Sequence, residues 1–245
     1  MNTLSSDLAQ YLIERMAKAD QSERLLVGIA GVPASGKSTL AQLIVDDVNG
    51  RLAATHPSEQ TINDFAVLVG LDGWHLTRAQ LDALPDPVEA HARRGAHWTF
   101  DGDGYVAFVR SLRKPIQASA GDNGVIRAPS FLHAIKDPSP DAVSILPSHR
   151  LVVIEGLYTF LSTEPWVEAG KALDERWWVE ISEEDAEKRL VPRHVRTGVA
   201  KDLAEAIWRA RENDAPNGRF IKANLLEPTR VITAIDDPLY ITDDH

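Results

Sequence analysis

A short glycine-rich segment of this chain has the residue types and the spacing needed to bind a polyphosphate. Residues 31–38 read Gly-Val-Pro-Ala-Ser-Gly-Lys-Ser and fit the pattern G-x-x-x-x-G-K-[ST] without departure. The glycines let backbone N–H groups turn towards an anion, the lysine reaches β- and γ-phosphates, and the last serine can ligate Mg²⁺. The alternative is a glycine turn that carries a surface lysine, so the neighbouring elements must decide.

The flanking residues predict the elements that such a segment requires. Residues 25–30 form an apolar run typical of a buried parallel strand, and apolar residues recur at helical spacing between Leu40 and Val48. A strand, a glycine-rich turn and a helix N-terminus together favour bound phosphate, because the helix dipole attracts an anion. The residues predicted to bind nucleotide here are Gly31, Ala34, Ser35, Gly36, Lys37, Ser38 and Thr39, with Lys37 also catalytic and Ser38 also a Mg²⁺ ligand.

Two acids follow other apolar runs that we predict to be strands. Glu155 comes directly after residues 151–154, at the position where a carboxylate can hold Mg²⁺ beside a nucleotide. Asp72 follows residues 65–71 and could accept the proton of an attacking hydroxyl. The alternatives are an ordinary strand-end acid for Glu155 and a turn or helix-capping aspartate for Asp72.

A basic segment between residues 189 and 198 stands out in an otherwise acidic chain. Arg189, Arg193 and Arg196 recur at spacings of four and three. Arginines on a closing segment can neutralise the charge of a transferring phosphoryl group. The alternative is a solvated helix face paired with nearby acids. Because Pro192 and Gly198 are expected to break the helix, we favour a lid, with lid helices over residues 183–215.

The order of elements predicts an α/β fold with a mostly parallel sheet and helices on both faces. Ligands of such sheets bind beyond the carboxyl ends of the strands, which is where the glycine-rich turn, Asp72 and Glu155 fall. We expect a single domain over residues 1–245, with an amphipathic N-terminal helix within 1–21 and an irregular arm or hairpin at 121–140.

Composition excludes several kinds of function. The balance of 26 basic and 36 acidic residues, a net charge of −10, argues against a nucleic-acid or anionic-membrane surface. The absence of cysteine excludes disulfides, zinc–thiolate sites and cysteine nucleophiles. No signal-peptide pattern or long apolar run is present, so we expect a cytoplasmic protein. Its expected partner is a small-molecule phosphoryl acceptor, and a homodimer is compatible with the sequence.

Together these segments resemble the phosphoribulokinase, uridine kinase and pantothenate kinase group of P-loop kinases. The resemblance covers about residues 22–236 and rests on 31–38, 71–76, 93–101, 154–158 and 193–198. It implies the P-loop NTPase fold with a five-stranded parallel sheet and a lid. It also implies ATP with Mg²⁺ and phosphorylation of a hydroxyl on a nucleoside, sugar or vitamin-like alcohol.

The resemblance also assigns roles to individual residues. It makes Asp72 the general base, and it strengthens His75 and the lid arginines Arg189 and Arg193. Trp74 stands where the group usually has phenylalanine. The full set of predictions is Asp72, Lys37 and Arg193 for catalysis; Arg189 and Asn217 beside the glycine-rich loop for the nucleotide; Ser38 and Glu155 for Mg²⁺; and Asp72, His75, Arg94 and Tyr158 for the acceptor.

Other functions of a nucleotide-binding fold remain open at this stage. A regulatory GTPase would need an N-K-x-D-type segment, which the sequence lacks, and a motor or DNA-linked ATPase would want a strand ending in Asp-Glu. A nucleotide-binding pseudokinase, or a regulatory P-loop NTPase that acts through a protein partner, is the alternative to a kinase. The sequence does not name the acceptor.

Overall fold

A five-stranded parallel sheet forms the centre of the structure, a computed structural model that describes residues 1–55, 65–116, 124–132 and 135–237. The strand order is β2-β5-β1-β6-β7, and a separate antiparallel hairpin pairs β3 with β4. The strands are β1 Leu25–Gly31, β2 Ala66–Gly70, β3 Ile126–Leu132, β4 Asp137–Ile145, β5 Leu151–Gly156, β6 Glu175–Glu180 and β7 Arg230–Thr233.

Helices cover both faces of the sheet, as the alternation of elements predicts. β1 is buried along its whole length, with Leu25, Val27 and Ile29 facing one apolar cluster and Leu26 and Ala30 facing the other. The helices are α1 Asn2–Lys18, α2 Lys37–Thr55, α3 Arg78–Asp82, α4 Pro87–Ala92, α5 Gly102–Leu112, α6 Trp166–Lys171, α7 Glu183–Arg196, α8 Leu203–Arg209 and α9 Ala215–Ala223.

A buried glutamate ties α1 to the sheet. Glu175 is 3% exposed and accepts hydrogen bonds from Tyr11 Oη at 2.7 Å, Trp177 Nε1 at 3.0 Å and Thr229 Oγ1 at 2.5 Å, and it pairs with Arg15. Burial alone would raise the pKa of Glu175, but these hydrogen bonds and the charge of Arg15 outweigh burial and lower it. The carboxylate is therefore ionised where α1 meets β6 and β7.

The segment predicted as an irregular arm or hairpin is an antiparallel hairpin. β3 and β4 pair from Ile126 opposite Ile145 to Leu132 opposite Asp137, and residues 121–123 and 133–134 of the predicted arm lie outside the described residues. The hairpin packs on a short 3₁₀ turn, Leu71–Trp74. A Cβ added at Gly73 would lie 2.4 Å from the Pro129 carbonyl oxygen, so only glycine allows this close approach.

One sequence prediction about a helix end is wrong. Pro192 does not interrupt α7, which continues to Arg196. The buried side chains of Leu190 and Val191 pack against α8, and this tertiary contact holds the helix through the proline. Within the described residues, no helix is both long enough and apolar enough to cross a bilayer.

Candidate active site

The glycine-rich loop between β1 and α2 is shaped to bind phosphate. Ala34 and Gly36 have left-handed φ values of 63° and 85°, a conformation that turns successive backbone N–H groups to one side. Helix α2 begins at Lys37, so its N-terminal dipole also points at the loop. A Cβ at Gly31 would lie 2.5 Å from Ser35 Oγ and 3.1 Å from the Val179 carbonyl oxygen, which explains the first glycine.

Ser35 gives independent support for a ligand in this loop. Its side chain is 2% exposed, and none of the described residues hydrogen-bonds with its Oγ. A buried hydroxyl without a partner is unfavourable, and a phosphate oxygen would satisfy it. The loop therefore fits a polyphosphate in both its backbone and its side chains.

Ser38 and Glu155 meet beside the loop, as the adjacent ends of β1 and β5 require. Ser38 Oγ donates to Glu155 Oε2 at 3.0 Å. Burial raises the pKa of Glu155, as does the nearby negative charge of Asp72, while Lys37, Ser38 and Arg193 act in the opposite direction. The predicted catalytic, metal-binding and lid residues therefore lie close enough to act on one carboxylate.

The oxygen pair formed by Ser38 and Glu155 fits Mg²⁺, which prefers hard oxygen ligands. Among the residues that the structure describes, no group of three or more His, Asp or Glu side chains could hold a metal alone. A magnesium ion there would take its other ligands from nucleotide phosphates and water, which is its usual arrangement in phosphoryl-transfer sites.

Asp72 lies in the 3₁₀ turn after β2, next to the end of β5. Gly70 pairs with Glu155 in the sheet, which brings Asp72 to the edge of the same cleft. Its side chain is 48% exposed, with His75 Nδ1 4.0 Å from Oδ1. A carboxylate in this place can reach an acceptor hydroxyl rather than forming part of the Ser38–Glu155 pair.

His75 forms part of an aromatic wall next to Asp72. Its Nδ1 lies 2.8 Å from the Asp72 carbonyl oxygen, which orients the ring. The ring centroid is 3.9 Å from that of Phe100 and 4.9 Å from that of Phe131 on the hairpin. Sequence reasoning proposed His75 but missed both phenylalanines, since Phe131 reaches the site only through the pairing of the hairpin.

Arg94 has a different place from the one predicted. Its Nη2 donates to the Leu76 carbonyl oxygen at 2.9 Å and to Asp137 Oδ1 at 3.0 Å, and its guanidinium lies 5.5 Å from the ring centre of Phe131. Its Nη1 donates to the Lys136 carbonyl oxygen at 2.6 Å. These contacts fasten the hairpin beside His75, so Arg94 holds the wall that His75 and Phe131 form.

Tyr158 also differs from its prediction as an acceptor contact. The side chain is fully buried, and its hydroxyl donates to the Gly95 carbonyl oxygen at 2.6 Å. Its ring packs against Phe100 and Trp166, because the chain turns into the apolar core after β5. Burial raises the pKa of Tyr158. The residue supports the loop at Gly95 from beneath and does not line the cleft.

The lid arginines approach the phosphate loop from α7. Arg189 Nη1 donates to the Ala34 carbonyl oxygen at 3.4 Å, and its Nη2 lies 3.5 Å from Asp236 Oδ1, a partner that sequence reasoning missed. Arg193 is half-buried and acts on Glu155. Asn217 is buried on α9 with its amide 3.5 Å from Asn213, so its contact with nucleotide stays a prediction.

Comparison with known proteins relates the chain to P-loop kinases. An ATP-dependent kinase-like protein of Aspergillus versicolor is 47% identical over 156 residues, which cover 64% of this chain and 89% of that protein. A candidate uridine kinase of Schizosaccharomyces pombe is 33% identical over 210 residues, which cover 86% of this chain and 83% of that protein. No family model matches the chain.

A solved structure supports the same relationship. The crystal structure of a candidate fructose transport system kinase from Silicibacter sp. TM1040 superposes with a TM-score of 0.75 at 27% identity, covering 93% of this chain and 98% of that one. The sequence matches span most of both partners, and the superposition covers nearly the whole of both chains. The chain belongs to the uridine kinase-like family of P-loop kinases.

Proposed function

We propose that this protein is an ATP- and Mg²⁺-dependent kinase that phosphorylates a hydroxyl group of a small metabolite. The observation that carries the proposal is the position of Asp72, a half-exposed carboxylate beside the Ser38–Glu155 pair and the phosphate loop. A nucleotide-binding regulator has no use for a base placed beside the γ-phosphate. The use of ATP by related proteins supports the choice of phosphoryl donor.

The reaction follows from the placement of these groups. The acceptor oxygen attacks the γ-phosphorus, the bond from that phosphorus to the β–γ bridging oxygen breaks, and ADP leaves. Asp72 takes the proton of the acceptor hydroxyl. Lys37 and the backbone N–H groups of the loop stabilise the negative charge on the phosphates, and the positive charge of Arg193 on α7 adds to this stabilisation. A magnesium ion held at Ser38 and Glu155 would supply further charge neutralisation.

The acceptor side favours a small hydroxyl compound with a face that packs on rings. His75, Phe100 and Phe131 form an aromatic wall next to the proposed base. Two of the similar proteins are named for uridine and fructose, both of which carry several hydroxyl groups. We therefore propose nucleosides, sugars and ring-bearing alcohols as the acceptors to test first. We also propose that the protein acts in the cytoplasm, where ATP and such metabolites are present.

The test compares ATP binding with acceptor-dependent ADP release. Wild type, Asp72→Asn and the control Asp46→Asn, an exposed acid on α2, are assayed with ATP, Mg²⁺ and a panel of nucleosides, sugars and polyols. Asp72→Asn keeps the shape of the side chain and removes its basicity. It should retain calorimetric ATP affinity and lose about 10²–10⁴ in acceptor-dependent rate, while Asp46→Asn should behave as wild type.

Other outcomes would change the assignment. Equal loss of ATP binding and turnover would make Asp72 a metal-binding or structural residue. No loss of either would make it a turn aspartate and leave the base to be found elsewhere. Normal ATP affinity with no ADP release for any compound would favour the pseudokinase alternative.

A further inference from the structure

A single π-helical turn, Ala210–Asp214, contacts two parts of the proposed site and leads into a third. Arg93, from the acceptor side, donates from Nη1 to the Glu212 carbonyl oxygen at 2.8 Å. His194, from the lid helix α7, places Nε2 2.9 Å from Asp214 Oδ2. α9 follows the turn directly, and its Gly218 faces Val32 of the phosphate loop. Irregular π turns are frequent at functional sites.

Among the described residues, two polar side-chain contacts between α7 and this turn differ in burial. The His194 and Asp214 side chains are 12% and 19% exposed. The second contact, between Arg211 and Glu187 at 2.9 Å, is 64% and 37% exposed. A hydrogen bond shielded from water contributes more than an exposed ion pair between long side chains. The His194–Asp214 contact is therefore the stronger tether of the two.

The tether lies close to the reacting groups on both of its ends. Burial and the charges of Asp72 and Asp214 raise the pKa of Tyr158, while Arg93 lowers it, so Asp214 and the proposed base both lie near Tyr158. At the other end, His194 follows Arg193, whose charge acts on Glu155. The orientation of the last turns of α7 thus decides where the Arg193 guanidinium lies.

Pro192 makes this part of α7 dependent on outside support. A proline within a helix has no N–H to donate to the carbonyl four residues before it, which weakens the helix at that point. The residues beyond the proline include both Arg193 and His194. Without a contact from another element, the end of α7 would move relative to its first turns.

We propose that His194 and Asp214 are positioning residues that hold Arg193 over the phosphate loop. This proposal rests on the proposed kinase function and adds to it a residue pair on the π turn. Because Arg93 and α9 also fix that turn, the tether connects the acceptor side, the lid and the phosphate loop through one short segment.

The test uses graded changes at Asp214 with a matched control. Asp214→Ala removes the acceptor of the hydrogen bond, while Asp214→Asn keeps an oxygen that His194 Nε2–H can reach. Arg211→Gln breaks only the exposed contact between the same two elements. With the best acceptor from the panel, Asp214→Ala should lower kcat about tenfold at unchanged ATP affinity, and Asp214→Asn should recover most of that loss. Arg211→Gln should stay near wild type.

A double-mutant cycle shows whether Asp214 acts through Arg193. If it does, Asp214→Ala should add little to the defect of Arg193→Ala, because the guanidinium that it positions is already absent. Fully additive losses, or a rise in the ATP dissociation constant equal to the loss in kcat, would overturn the proposal. Thermal unfolding identifies a variant that fails to fold, and His194→Gln then serves as the second variant on the other partner.

Amide hydrogen exchange tests the tether independently of turnover. Asp214→Ala should speed exchange of the amides at residues 193–197 while leaving α2 unchanged, with and without ATP. If the wild type shows no kinase activity but the exchange changes as expected, the proposed function fails and the tether stands. If exchange at the end of α7 is unchanged in Asp214→Ala, the tether is refuted whatever the enzyme does.

Discussion

The phosphate loop and the lid are held in very different ways. The loop continues a strand that is buried along its whole length, between two apolar clusters that contain large side chains such as Leu26, Ile29 and Trp177. The lid helices α7 and α8 share a small cluster in which three of the five buried residues are alanine. Since stabilisation scales with the apolar area buried, α7 and α8 are held less firmly than the strand that carries the loop.

This difference in burial matches two different tasks, which are binding the phosphates and stabilising the transition state. Groups that bind phosphate must be preorganised, and a fully buried strand with a helix N-terminus achieves this. Groups that complete the site only when substrates are bound belong on an element of low local stability. Arg189 and Arg193 are on α7, where Arg189 donates to Ala34 of the loop and the charge of Arg193 acts on Glu155.

The largest effect that we expect is on phosphoryl transfer, and it follows from the removal of Lys37 in the phosphate loop. Lys37→Ala removes the fixed counter-charge of the β- and γ-phosphates and should lower phosphoryl transfer about 10²–10³-fold or more. The exposed lid lysine provides a control, because Lys188→Ala breaks only surface pairs with Glu184 and Asp185. Turnover and thermal unfolding of both variants are measured together. Normal transfer by folded Lys37→Ala would refute the phosphate-loop assignment.

Truncation of a buried side chain should lower the free energy of unfolding by different amounts in β1 and in α7. Ile29→Ala, in a fully buried strand position, should cost about 2–5 kcal/mol of global unfolding free energy in urea. Leu190→Ala, in the lid cluster, should cost less globally but should strip hydrogen-exchange protection from α7. Equal global costs, with no local opening in Leu190→Ala, would mean that the lid unfolds only with the sheet.

A lid arginine should affect rate rather than nucleotide binding. Arg193→Ala should lower kcat about 10–10²-fold with little change in calorimetric ATP affinity, because its charge matters most when the transferring phosphoryl group is loosely bonded. Arg196→Ala, one turn further along and exposed, should cost less. A pure rise in the KM for ATP with unchanged kcat would place Arg193 in ground-state binding instead.

The comparison also explains what could be predicted from the sequence. The mostly parallel sheet was predictable and is confirmed, because each strand is a local apolar run and each loop residue lies within one short motif. The meeting of Ser38 with Glu155 follows from the same rule, since parallel strand ends converge at one edge. These features depend on little beyond neighbouring residues.

The contacts that the sequence did not predict depend on partners far along the chain. Tyr158 bonds to a carbonyl 63 positions away and Arg94 to an acid 43 positions away, and nothing local indicates either partner. Pro192 does not end α7 as its local helix-breaking tendency predicts, because Leu190 and Val191 are buried against α8. Local patterns in the sequence therefore predict the strands and the phosphate loop, whereas the side-chain contacts around them depend on the tertiary fold.

The smallest effect that we expect is the pH dependence that Glu175 gives to the stability of the sheet. Glu175 has a lowered pKa in the folded protein, because hydrogen bonds from Thr229, Tyr11 and Trp177 and the charge of Arg15 outweigh the cost of burial. A carboxylate with a lowered pKa stabilises the fold above its unfolded pKa of about 4.5 and loses that contribution as pH falls through its folded pKa. Glu175→Gln keeps the volume of the side chain and removes the charge.

The variant should be less stable than wild type by about 1–3 kcal/mol at pH 7, the usual range for hydrogen bonds to a charged group. Urea unfolding at pH 7, 5, 4 and 3 follows the difference, which should shrink below about pH 4.5 as the wild-type carboxylate becomes protonated. Gln10→Ala, on the exposed side of α1, controls for changes in that helix. A difference that is constant with pH would show that packing, rather than the ionised carboxylate, holds α1 against the sheet. ATP affinity should stay unchanged in the variant, because Glu175 lies beside Val27 in the sheet, four residues before the first glycine of the phosphate loop.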